Sequence, residues 1–250
     1  MFFLLQPAEG IEIDGAVAER WGANSDVHIT STTLKGKDSQ NARVVEVSST
    51  SDGNAVLNFA EGIGAALTEK DTPGQGVEVA ILTRNIKIVG EDDGTGNGGY
   101  LQVFHTPGVQ QLIEGVEFMN MGQPGRKNRF PMQLLYNGVI EGTSLSRNSF
   151  RENKSRCISV DGTANTTIAS NVAADTMGHC FYFSHESADN MVVGNLISNQ
   201  KKQPIKIDGY DDYESDAYAI WSPANHFIGN VSIQSSLHCL SLSLALFTKY

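Results

Sequence analysis

One short pattern recurs along the second half of the chain, and it restricts the possible fold more than any other feature. It is seen in Leu145-Ser-Arg-Asn148-Ser-Phe150, Ile168-Ala-Ser-Asn171-Val-Ala173, Val192-Val-Gly-Asn195-Leu-Ile197 and Phe227-Ile-Gly-Asn230-Val-Ser232. Each copy has an apolar residue, two spacers, an asparagine, and an apolar residue at one or both of the next two positions. The asparagines lie 23, 24 and 35 residues apart. The last interval is one period plus an insertion, absorbed by the polar stretch Lys201–Ser215. A second phase of the repeat runs through Cys157-Ile-Ser-Val160 and Cys180-Phe-Tyr-Phe183, again 23 apart. Pro131-Met-Gln-Leu-Leu135 precedes it and Ala219-Ile-Trp221 follows the insertion. A unit this short cannot close a core alone. Stacked on its neighbours at about 4.8 Å, each strand finds a parallel partner and like residues pile up inside. The pattern predicts an all-β fold, a right-handed parallel β-helix of the pectate-lyase type, with two strand phases per coil. Asn148, Asn171, Asn195 and Asn230 would form a ladder at one corner, their amides satisfying turn backbone and one another.

The coils are expected over residues 76–234. Residues 1–75 read as irregular β-rich coils in which the start of the β-helix is cut short, and 235–250 as a terminal strand or tail. Ser241-Leu-Ser-Leu-Ala-Leu246-Phe alternates with period two and would cap the last coil. Helical periodicity is hard to find. Short β-branched runs such as Arg43–Val47 and Val77–Leu82 are cut instead by Gly, Asn, Asp and Pro. Acids outnumber Lys and Arg by 28 to 18, a net charge of −10. That balance argues against gripping a nucleic-acid backbone. No apolar run approaches the roughly 20 residues needed to span a bilayer. Phe2-Phe3-Leu4-Leu5 is too short for a signal peptide and lacks a basic flank before it.

On stacked coils, chemistry comes from neighbouring rungs at one phase. Asp161 and Ser184 hold matching positions, with His185 and Glu186 just beyond, while Arg156, Asp175 and His179 fall at the adjoining turn. Asp161, Asp175, His179 and Glu186 are the candidate catalytic groups on one rim of a groove, since glycoside cleavage needs facing carboxyls and uronate elimination needs a base. Arg156, His185, Tyr210 and Tyr213 are candidates for holding substrate. The insertion concentrates Asp208, Asp211, Asp212, Glu214 and Asp216 within nine residues, a set of hard oxygens suited to calcium. The alternative for all of these is a set of solvated turn residues. Gly94-x-Gly96-x-Gly98-Gly99 precedes a strand and no helix, so it reads as a loop. Of the three cysteines, Cys157 and Cys180 should stack in adjacent coils as free thiols, because in-register strands orient their Cβ atoms alike. Asn165 and Asn153 begin glycosylation sequons, whereas the sequon at Asn230 belongs to the ladder.

Several strings resemble a known family. Glu78-Val-Ala-Ile-Leu-Thr-Arg-Asn85-Ile-Lys-Ile-Val-Gly90 is similar to a signature of the β-helix region in cell-migration-inducing hyaluronan-binding proteins, their cell-surface hyaluronidase relative and fibrocystin-like proteins. Ile113–Phe118 with Gly122-Gln123, Arg129–Met132, Arg156–Val160, Gly178–Phe181, Ala219–Pro223 and Gly229–Val231 continue in family order. The resemblance runs from about Gly76 to Ser232. It implies a glycan-associated, extracellular or cell-surface β-helix, which in the family follows a glycine-rich β domain absent here. Where the family carries His-x-His this chain has Gln133-Leu134-Leu135, and where it has Val-His-Gly-Thr this chain has Val160-Asp161-Gly162-Thr163. These departures favour a non-catalytic module binding glycan or protein. The alternatives are a polysaccharide-degrading enzyme, either a hyaluronidase-like glycoside hydrolase or a lyase, and a fragment cut at both ends with no independent role.

Overall fold

The computed structural model describes residues 5–6, 10–33, 35–64, 77–91, 93–207, 215–233 and 240–242. The chain divides into two compact units, Met1–Thr83 and Arg84–Tyr250. In the first unit, the strands Leu5–Gln6, Gly10–Asp14, Asn54–Phe59, Gln40–Ser49, Asp26–Ile29 and Val79–Ile81 pair in that spatial order, all antiparallel. Alternating residues build its core from Ile11, Ile13, Val27, Ile29, Val44 and Leu57. The residues read as coils therefore belong to a sheet whose neighbours run in opposite directions.

In the second unit every strand pairing among the described residues is parallel. Three sets of strands are stacked. The first aligns Leu101, Met132, Ile158, Phe181, Tyr218 and Leu240. The second aligns Ile113, Leu145, Ile168, Val192 and Phe227. The third aligns Ile88, Phe118, Phe150, Ala173, Ile197 and Ser232. Inward residues of all three sets meet in one core, where Phe118 and Phe150 stack face to face at 4.9 Å and Phe183 meets Phe227 edge-on at 5.3 Å. Each fully buried side chain of this size contributes about 1.5–3 kcal/mol. The terminal alternation does supply a strand, Leu240–Leu242, on the edge of Tyr218–Ile220.

Three sets replace the expected two because the asparagine pattern straddles a corner. Its leading apolar residue closes a strand of the second set, and the residues after Asn open one of the third. The asparagines form one column. The backbone N–H of Asn148 donates to Asn171 Oδ1 at 3.0 Å, that of Asn171 to Asn195 Oδ1 at 2.9 Å, and that of Asn195 to Asn230 Oδ1 at 3.0 Å. Each Nδ2 donates to a carbonyl of the preceding rung: Asn171 to Leu145 O at 2.8 Å, Asn195 to Ile168 O at 2.9 Å. The residue before each one, namely Arg147, Ser170, Gly194 or Gly229, is left-handed, with φ of 55–61°. That conformation makes the sharp turn and aims the amide at its neighbour.

Other corners follow the same rule with a mixed cast. Asn137 accepts from Thr106 N, Asn153 from Met121 N, and Asn190 from Thr166 N, at 2.9–3.0 Å. Asn153 is fully buried and its Nδ2 donates to Phe118 O. Its place in a corner corrects the expectation that it accepts a glycan. A second correction concerns the thiols: Cys157 and Cys180 form a disulfide. They enter consecutive strands of the first set with Cα atoms 4.6 Å apart, inside the span a disulfide bridges. Cβ atoms projecting alike at that spacing still leave the sulfurs one above the other, and side-chain rotation closes the gap.

Candidate functional site

The outward side of the first strand set carries the polar residues. Met132 and Leu134 point into the core, so Gln133 faces out, as do Gln102, Ser159 and Tyr182 on neighbouring rungs. A continuous network joins them. Gln102 Nε2 donates to Gln133 Oε1 at 2.8 Å, and Gln133 Nε2 donates to Asp161 Oδ2 at 2.9 Å and to Asn128 Oδ1 at 3.1 Å. Ser159 Oγ donates to the same Asp161 oxygen at 2.8 Å. Arg156 is completely buried, its guanidinium 3.5 Å from the Tyr182 ring centre and 4.7 Å from that of Phe130. His179 is buried too; its Nδ1 accepts the Asp216 backbone N–H at 3.1 Å and lies 3.4 Å from Asp216 Oδ2.

The expected rim is thus divided among three places. Asp161, Arg156 and His179 sit in the buried network. Arg156, read from the sequence as a substrate contact, has no exposed surface, because two aromatic rings enclose it. Asp175 occupies a left-handed corner after the third set, where it accepts from Asn199 Nδ2 and lies 3.4 Å from Lys201 Nζ. Only His185 and Glu186 stand at the solvent-exposed edge. Asp208, Tyr210, Asp211, Asp212, Tyr213 and Glu214 lie outside the described residues, and with them the calcium expectation. Among the described residues, no three His, Cys, Asp or Glu side chains are grouped to hold a metal ion. Asn165 is half-buried at a left-handed corner. Because Asp161 joins two donors, Asp161→Asn is expected to lower stability by about 1–2 kcal/mol. Urea unfolding followed by tryptophan fluorescence measures this; an unchanged midpoint would show the network contributes nothing.

One exposed bend of the stack holds residues that the sequence reading passed over; the strands Leu101–Phe104, Phe181–Phe183 and Tyr218–Ile220 end at it, while Met132–Ser146 and Ile158–Ala169 run through it. Phe104, Tyr136 and Trp221 follow one another on different rungs, with His185 between the last two. Phe104 and Tyr136 are more than half exposed. The His185 and Trp221 rings meet edge-on at 5.5 Å. Tyr136 lies against Gly162: a Cβ there would fall 2.7 Å from Tyr136 Cδ1 and 3.4 Å from Glu186 Oε2. The signal was available, since each aromatic falls at a nearly constant offset from the start of its stretch of the repeat. No helix of the described residues is long and apolar enough to cross a membrane.

Part of the chain is similar to known proteins. A G8 domain-containing protein of Dictyostelium discoideum is 29% identical over 174 residues, covering 62% of this chain and 15% of that protein. Communication mutant protein F of the same organism is 33% identical over 124 residues, covering 48% of this chain and 10% of that protein. The cell surface hyaluronidase of Danio rerio is 32% identical over 124 residues, covering 42% and 9% respectively. The chain therefore spans only 9–15% of the length of these relatives. The CEMIP beta-helix family model matches residues 96–246, more than half of the sequence, and the chain belongs to that family.

Proposed function

We propose that residues 84–250 wind as a right-handed parallel β-helix that binds a polysaccharide outside the cell, along the aromatic edge, without cleaving it. The observation that carries this reading is the row of Phe104, Tyr136, His185 and Trp221 at one bend of the stacked strands. Rungs repeat at roughly 4.8 Å, so an extended sugar chain laid along the stack meets one ring after another. Tyr and Trp give large, stiff contact surfaces at low entropic cost, apolar on the face and polar at the tip. The Cys157–Cys180 disulfide supports an oxidising compartment. Kinship with a cell surface hyaluronidase supports a glycan partner outside the cell. Binding without cleavage is favoured because Asp161, buried beside the edge, is taken up by Gln133 and Ser159 and so is not available to work with the exposed Glu186. Cleavage would need two available carboxyls about 5–9 Å apart across the bond. Asn165 is the glycan acceptor of this reading.

A glycan array probed with the purified protein, with and without chelator, tests both the partner and the calcium expectation. Tyr136→Ala and Trp221→Ala are each expected to weaken the strongest interaction about tenfold, the scale of losing one well-packed aromatic anchor. Accumulation of shortened polysaccharide in the presence of the protein would overturn this reading in favour of an enzyme using Asp161 and Glu186.

A further inference from the structure

We infer that the middle of the aromatic edge, centred on Gly162, is a subsite for an uncharged sugar and discriminates against carboxylated ones. This rests on the glycan-binding reading above and goes beyond it in naming the class of sugar.

The first observation is conformational. His105, Tyr136 and Gly162 occupy one corner column with φ of 49°, 50° and 53°. At the other left-handed positions of this unit the described residues are Gly, Asn, Asp, Ser, Glu and Arg. An aromatic ring there is held in a region that bulky side chains avoid, and the turn itself does not call for one. The ring is instead placed for something outside the fold. Tyr136 is 53% exposed, and one edge of its ring packs over Gly162, where a Cβ would fall 2.7 Å from Tyr136 Cδ1.

The second observation is chemical. Glu186 is exposed, and its Oε2 lies near the same glycine, 3.4 Å from where a Cβ would stand. A carboxylate can only accept hydrogen bonds, so it selects hydroxyl or N–H donors and can take two from neighbouring hydroxyls. It repels a second carboxylate brought to the same place. The segments 104–106, 135–138, 161–163, 184–189 and 221–225 contain Asp161, Glu186 and Asp189 and no lysine or arginine. Among the described residues of these segments the only basic side chains are the imidazoles of His105 and His185, so no fixed positive charge offsets that repulsion. The whole chain, at −10, adds a field of the same sign. An exposed aromatic ring with a carboxylate acceptor beside it fits a neutral pyranose with adjacent hydroxyls.

The test is calorimetric titration of the full chain with two hexasaccharides of equal length. One is uncharged, built from N-acetylglucosamine; the other is hyaluronan, with a uronate in every second ring. The uncharged chain is expected to bind at least about tenfold more tightly at low ionic strength, with the gap narrowing as salt rises. In Glu186→Gln the preference should shrink severalfold while the thermal midpoint stays where it was, since the residue is exposed. Tighter binding of hyaluronan, or a preference unchanged in Glu186→Gln, would overturn the subsite while leaving the glycan reading intact. Binding of neither hexasaccharide, with no glycan retained on the array, would remove both.

Discussion

Replacing Asn171 by alanine is expected to destabilise the parallel-stranded unit by about 4 kcal/mol. The side chain is fully buried and serves three groups: its Oδ1 accepts from Asn148 N, and its Nδ2 donates to Leu145 O and Asn195 Oδ1. Alanine leaves the Asn148 N–H without its partner, where water does not reach, and removes the bonds donated to Leu145 O and Asn195 Oδ1. Such an orphan costs about 1–3 kcal/mol, and the two lost bonds add to it. For a unit of this size the thermal midpoint should fall by roughly 10 °C. Asn85→Ala, at an exposed position, is the control and should stay within about 0.5 kcal/mol. Equal midpoints for the two variants would mean that the asparagine column does not hold the rungs together.

Opening the disulfide should cost nearly as much. The Cys157–Cys180 bond closes a loop of 23 residues, and a cross-link of that length stabilises by about 3 kcal/mol through restriction of the unfolded chain. Reductant should lower the unfolding midpoint of the natural protein and have no effect on the Cys157→Ala/Cys180→Ala double variant, which starts from the lower value. Peptide mapping without reduction should recover the two cysteines linked. Recovering them separately, or finding the natural protein indifferent to reductant, would refute the pairing.

How far the fold could be read from the residues depended on whether a corner repeats one residue type. Asn148, Asn171, Asn195 and Asn230 are identical and nearly periodic, and they stand in one column as the spacing required. The remaining corners perform the same task with Asn137 and Thr163, or Asn190 and Thr166, and no single letter recurs to mark them. The split of one apparent phase into two strands was hidden for a related reason, because Leu145 and Phe150 both point inward from opposite sides of a turn. The stacking of Cys157 on Cys180 was legible, but the bond was not, since phase fixes height along the stack and says little about side-chain rotation. The candidate site was legible only as an address. The repeat located the strand ends, yet residue type alone could not separate Asp161, enclosed by Gln133 and Ser159, from Glu186, which is open to solvent. Tyr136 was overlooked because chemistry was sought among ionisable groups, while the exposed edge is mainly aromatic.

The amides of the corner column all point the same way. Val116 N–H is answered by Asn148, Asn148 by Asn171, Asn171 by Asn195, and Asn195 by Asn230; in every case the later residue completes the earlier one. A chain emerging from the ribosome therefore carries one donor of this column that stays open until 23 to 35 further residues have been synthesised. The column thus has a direction from amino to carboxyl end, and each arriving asparagine satisfies its predecessor before it is itself satisfied.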